Sequence, residues 1–192
     1  MSLETFKAAL AIAKDYDSPV TIGGGEPTLH PEFEHFLILA IAASQEYMRP
    51  FIVTNGTHKE RSLLILELTE KELVDGHLSY DQYHDMSMVD GVVFDGFRTI
   101  PHGLWGARDG SGYREGPTLV AAGRARQIDG ARKDECACES TFVQPNGVIR
   151  QCGCPRSPKI GHVKDGSFDS PAPGCCFKSE EYKEAKEELQ AA

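Results

Sequence analysis

Three observations predict an α/β fold on a parallel sheet, followed by a small cysteine-rich segment. First, short strand-like runs alternate with helix-like stretches three times between residues 20 and 85, the order produced by successive βα units of a parallel sheet or barrel. Second, each run stops at glycine or polar residues: Gly23-Gly24-Gly25, then Thr54-Asn55-Gly56-Thr57, then Ser79 and Asp81 around Tyr80. Folds of this class carry their sites at that end of the strands. Third, all six cysteines lie after residue 135, as the close doublets Cys136/Cys138, Cys152/Cys154 and Cys175/Cys176. Such neighbours seldom bridge each other without strain, so they suggest metal ligands over a disulfide framework, with unligated structural thiols as the alternative.

The elements follow in order. Ser2 can cap a helix through Leu3, Phe6, Leu10 and Ala13, an apolar spacing near the helical period. Asp15 to Pro19 breaks it, and Val20–Ile22 reads as a strand. Next come Gly23, Gly24, Gly25, Glu26 and Pro27. Glycines there let backbone atoms approach a ligand closely, and a tight turn with no ligand is the alternative. A phosphate loop fits poorly, because no Gly-Lys-Ser/Thr or G-x-G-x-x-G is present and Glu26 would repel phosphate. Pro31 suits a first helical turn, with His30 as its cap, and Phe33, Phe36, Leu37, Ala40 and Ile41 form one apolar stripe. Phe51–Val53 is the second strand and Thr57–Val74 the next helix, closed by Asp75-Gly76. His77–Tyr80 is the third strand, and a short helix is expected over Met88–Phe97, around Val92, Val93 and Phe97.

Residues 101–117 hold five glycines and two prolines and are expected to form a loop. Thr118–Val120 is a candidate late strand leading to Gly123-Arg124-Ala125. Thr141–Val143 and Val148–Arg150, around Pro145-Asn146-Gly147, predict a β-hairpin that brings the first two cysteine doublets together at its open end. From Lys178 a charged helix with Tyr182, Ala185 and Leu189 on one side is expected.

Composition bounds the function. The 192 residues carry 29 acids against 20 bases, a net charge of −9. That balance argues against non-specific binding to nucleic acid or an anionic membrane. The longest apolar run, Phe36 to Ala43, is too short to cross a bilayer. No signal-peptide pattern opens the sequence, so a cytoplasmic setting is expected.

GGGEPTLHP at 23–31 closely resembles the GGEP segment of the radical S-adenosylmethionine (radical SAM) enzymes. VTNGT at 53–57 and LSYDQYHD at 78–85 are similar to the third- and fourth-strand segments of those barrels. The resemblance implies a partial (β/α) TIM-like barrel over residues 1–130 that binds S-adenosylmethionine (SAM). Its contacts would come from Gly23, Gly24, Gly25, Glu26 and Pro27, with Thr54, Asn55, Ser79 and Asp81 near the carboxylate and ribose. For the last four residues, helix capping and loop hydrogen bonding are equally good readings. Gly123-Arg124-Ala125 and the cysteines around the hairpin resemble proteins with a SPASM or Twitch auxiliary module, here 131–178, ahead of a helical tail at 179–192. That implies an iron–sulfur cluster, zinc being the alternative, on four of Cys136, Cys138, Cys152, Cys154, Cys175 and Cys176. A peptide substrate is what the auxiliary-cluster relatives imply.

One part of the pattern is missing. The family holds a [4Fe–4S] cluster on Cys-x3-Cys-x2-Cys after its first strand, and these residues contain no such motif. The opening residues resemble the first barrel helix without the strand before it. An internal start, with the cluster loop upstream, is therefore expected, and with it a chain that does not cleave SAM and has no assigned catalytic residue. The alternative is a non-enzymatic metal-binding or partner-binding protein derived from the same barrel.

Overall fold

Residues 1–23, 25–44, 48–80, 84–105, 141–153 and 157–169 are described by the structure, a computed structural model. Thr118–Val120, Gly123-Arg124-Ala125 and the tail after Lys178 fall outside these ranges. So do Gly24, Asp81 and every cysteine except Cys152. The chain divides into two compact units, Ala13–Pro117 and Met1–Ile12 with Thr118–Ala192.

Four parallel strands in sequential order form the sheet of the Ala13–Pro117 unit: β1 (Thr21–Ile22), β2 (Phe51–Thr54), β3 (Asp75–Ser79) and β4 (Leu104–Trp105). Helix α2 (Phe33–Ala43) joins β1 to β2, α3 (Lys59–Glu70) joins β2 to β3, and α4 (Gly91–Thr99) lies before β4. This is the α/β alternation expected from the sequence. Val20 O accepts from Phe51 N at 2.9 Å, extending the short first strand by one residue. The α2 stripe is buried at Phe33, Phe36, Leu37 and Ala40.

Helix α2 starts at Phe33, not at Pro31, and α4 runs Gly91–Thr99 in place of Met88–Phe97; three further differences each have a local reason. Thr57 does not open α3, because Asn55 Oδ1 accepts from both the Thr57 amide (3.0 Å) and its hydroxyl (2.8 Å), holding that residue in a turn. Asp75 and Gly76 do not close α3; the left-handed residue Glu72 (φ 59°) does, and both residues start β3. Gly76 is needed in the strand because a Cβ there would overlap Ile65 and Thr69 of α3. Leu104–Trp105, within the expected loop, is a strand because it pairs with Leu78 and Ser79.

Strand residues alternate between faces. Ile52 pairs with Gly76 and Thr54 with Leu78, so these four share the face on which α3 lies. Ile52, Ile65 and Leu78 are fully buried there. Phe51, Val53, His77, Ser79 and Trp105 share the other face. On it the rings of Phe51, His77 and Trp105 meet with centroids 4.8–5.3 Å apart. His77 Nδ1 donates to the His102 carbonyl at 2.7 Å. Its Nε2 lies 2.9 Å from Asp75 Oδ1, but at an angle too poor for a hydrogen bond.

The other unit holds an antiparallel sheet in the order β5 (Phe142–Val143), β6 (Val148–Arg150), β7 (Lys159–His162) and β8 (Ser167–Phe168). β5 and β6 are the expected hairpin. Its turn is closed by Gln144 N to Val148 O at 2.8 Å, and Gly147 supplies the left-handed residue (φ 86°). Helix α1 (Leu3–Asp15) is capped by Ser2, whose Oγ accepts from Thr5 N at 3.1 Å. Phe6 and Leu10 of the expected α1 stripe are buried. Ile12, outside that stripe, is buried too, and with Ala8 and Ala9 it packs on Ile149 and Ile160 of the antiparallel sheet and on Val163 just after β7.

Candidate functional site

Parallel pairing brings the C-terminal ends of β1, β2 and β3 to one edge of the sheet. Gly23, Gly25 and Glu26 follow β1, Asn55 and Gly56 follow β2, and Ser79 ends β3. Gly23 and Gly25 are exposed, and a Cβ at either would meet nothing within 4 Å. Neither has the left-handed backbone that favours glycine. Unlike Gly76, these two glycines are therefore not required by the protein's own packing.

The Glu26 carboxylate is committed within the protein. Oε1 accepts from the Thr28 hydroxyl at 2.6 Å, the Thr28 amide at 3.2 Å and the Thr54 hydroxyl at 2.8 Å. Oε2 accepts from the Asn55 amide at 2.7 Å. These bonds join the glycine turn to the end of the neighbouring strand, and they make Glu26 the cap of a 3₁₀ turn, Pro27–Leu29, with Pro27 at its start. Oε1 takes three of these donors and Oε2 only one, so Oε2, with two lone pairs, is the oxygen that can accept a further, external donor. Thr54 is fully buried, and its oxygen also accepts from Gly56 N at 3.1 Å. Its hydroxyl thus serves the turn.

Asn55 spends its oxygen on Thr57, and among the described residues its amide nitrogen has no partner. The Ser79 hydroxyl likewise takes no hydrogen bond among the described residues. Gly24 and Asp81, also expected in this site, lie outside the described residues. His30 differs from the expected helix cap: its Nδ1 accepts from Glu32 N at 3.1 Å, within the approach to α2.

Arg61, on α3, was not legible as a site residue. Its Nη1 donates to Thr28 O (2.6 Å) and His30 O (2.8 Å), and its Nη2 to Pro31 O (3.3 Å). Nε reaches Glu34 at 3.3 Å, and the guanidinium lies 5.8 Å from the centroid of the Phe33 ring. Arginine in a Lys/Glu-rich helix carries no sequence signal that it holds a loop thirty residues earlier. Beyond β2, Lys59 and Asp90 pair at 2.8 Å. Their hydrogen bond holds the Lys59 ammonium above its usual range and the Asp90 carboxyl below its own. Asp90 also caps α4 through Val92 N.

For a metal centre the described residues offer less. Among them, no group of three His, Cys, Asp or Glu side chains converges on a point. Cys152 is buried just after β6, its amide donating to Ser157 Oγ at 2.8 Å. Cys136, Cys138, Cys154, Cys175 and Cys176 lie outside the described residues.

Among the described residues no helix is long and apolar enough to cross a membrane. Neither a protein-family model nor a curated protein matches the chain. Among solved structures the chain is similar to BtrN, crystallised in complex with AdoMet and 2-DOIA. The identity is 17% and the TM-score 0.53, over 98% of this chain and 74% of BtrN. At that identity the likeness is one of fold alone, here an α/β fold with a four-stranded parallel sheet.

Proposed function

We propose that the edge carrying Gly23, Gly24, Gly25, Glu26, Asn55, Ser79 and Asp81 binds SAM, within a partial β/α barrel of the radical SAM type. The observation that carries this reading is the pair of open glycines. Exposed backbone of ordinary conformation, with free space where each Cβ would be, is what a ligand's close approach requires. Bare backbone carbonyls and the remaining Oε2 site of Glu26 suit an ammonium group. The Asn55 amide suits a carboxylate, and the Ser79 hydroxyl and Asp81 suit ribose hydroxyls. Pro27 and Thr54 hold the turn. The BtrN complex, with AdoMet bound to a similar fold, supports the same assignment.

SAM bound beside a reducible iron–sulfur cluster supplies a 5′-deoxyadenosyl radical. These 192 residues lack Cys-x3-Cys-x2-Cys, so this chain by itself is expected to bind SAM without cleaving it. The late cysteines are assigned to a second centre of iron–sulfur or zinc, in a module over 131–178, and the substrate to the peptide class. The missing motif also favours a second reading, a barrel-derived protein that binds metal or a partner and catalyses nothing.

Calorimetry tests the first reading. The wild-type chain is expected to bind SAM, and Gly25→Val to lose binding while keeping the wild-type thermal transition. Equal affinity in the two proteins would leave the glycine run as a turn without a ligand.

A further inference from the structure

The glycine turn is held from two sides, and the two holds meet at one residue. From below, the Glu26 carboxylate binds Thr54 and Asn55 at the end of β2. From α3, the Arg61 guanidinium collects the carbonyls of Thr28, His30 and Pro31. Thr28 belongs to both: its amide and hydroxyl go to Glu26 and its carbonyl to Arg61, and it is fully buried. Four of the five N–H donors of Arg61 are thereby committed, the fourth to Glu34. Its side chain is 19% exposed.

We propose that Arg61 is a positioning residue for recognition of the amino-acid arm of SAM. This rests on the reading of the turn as a SAM site. Arg61 does not touch the ligand edge, and as a cation it would repel an ammonium group there. Its effect runs through Thr28 to Glu26, and from Glu26 to the open backbone of Gly23 and Gly25. The planar fork meets three carbonyls, those of Thr28 in the 3₁₀ turn and of His30 and Pro31 just after it. A lysine, with one compact ammonium, can meet only part of that set. Without the fork, the Thr28, His30 and Pro31 carbonyls lose their guanidinium partner, the turn relaxes, and the Glu26 carboxylate no longer holds its place against Asn55.

A relay through Thr28 and Glu26 implies selectivity between two ligands. SAM has the amino-acid arm; 5′-methylthioadenosine has the same nucleoside without it. The chain with Arg61→Met is expected to bind SAM about tenfold more weakly, the equivalent of one lost charge-assisted contact. Its affinity for 5′-methylthioadenosine should change by less than about twofold, because the turn meets only the arm. Arg61→Lys should fall between wild type and Arg61→Met for SAM and leave methylthioadenosine binding alone. A purely structural role would weaken both ligands together, and that result overturns the proposal. So does a Met variant that keeps the wild-type preference for SAM. If Arg61→Met does not fold, Thr28→Val breaks the same relay by removing the hydroxyl donor to Glu26, and the same split between ligands is expected. A wild-type chain that binds no SAM overturns the proposed function itself, an outcome distinct from wild-type binding whose selectivity ignores Arg61.

Discussion

Replacing Thr54 by valine removes one oxygen from the join between the first two strand ends and changes little else. Threonine and valine are nearly isosteric, so no cavity forms at this fully buried position. Two bonds are lost, the 2.8 Å donation to Glu26 and the 3.1 Å acceptance from Gly56 N. Glu26 keeps three other donor contacts, so its share of the loss falls at the low end for a charged hydrogen bond, about 1.5 kcal/mol. The Gly56 amide is left buried without a partner, which costs about 1–3 kcal/mol more. A destabilisation of about 3 kcal/mol is expected, roughly 6–12 °C in Tm for a chain of this size. The single tryptophan, Trp105, belongs to the same sheet, so urea unfolding followed by its fluorescence reads this unit. Thr54→Ser keeps the hydroxyl and should lose only about 1 kcal/mol for its methyl. A valine variant as stable as wild type, or a serine variant as damaged as the valine, would refute the reasoning.

Other expectations follow from the same geometry. Gly23→Ala and Gly25→Ala should leave Tm unchanged or slightly raised, since both sites are open and of ordinary conformation. Gly76→Ala should lower Tm, because its Cβ overlaps Ile65 and Thr69; equal melts for all three would contradict that contrast. The Asp90 carboxyl is held low by Lys59 and by Val92 N. Its contribution is therefore fully present above the unfolded carboxyl's range and is lost as pH falls through the folded one. The Lys59 contribution, from a raised ammonium, is present below the unfolded lysine's range and is lost as pH rises through the folded one. Urea melts of wild type and Asp90→Asn should thus differ near neutral pH and converge in acid; a difference that persists in acid would count against the pair. Anaerobic reconstitution should load iron or zinc, and six freely titrating thiols would count against the cysteine assignment. With SAM and dithionite, the 192-residue chain should yield no 5′-deoxyadenosine by chromatography.

The sequence made much of the parallel sheet legible, because Val20–Ile22 and Phe51–Val53 are short apolar runs stopped by glycine or polar residues, His77–Tyr80 follows a helix-like stretch and also ends in polar residues, and the helix between β1 and β2 has a clean stripe. What escaped depends on contacts distant in sequence. Leu104–Trp105 are only two residues in a glycine-rich stretch, and their strand character comes from pairing with Leu78 and Ser79. Gly76 reads as a helix stop until Ile65 and Thr69 are seen against it. The 3₁₀ turn at Pro27–Leu29 exists because the Glu26 carboxylate caps it. At the site, spacing identified the glycines and Glu26. It could not show that Glu26 faces its own chain's donors, nor that Arg61 reaches back to the turn. Both facts depend on where α3 lies.

Amide chemical-shift mapping decides whether the strand-end glycine turn is a SAM site. Titrating SAM into the ¹⁵N-labelled chain is predicted to shift the amides of Gly23, Gly25, Glu26, Asn55 and Ser79 together, with a single saturation curve. Saturable shifts confined to other residues, or no shifts at all, would contradict it.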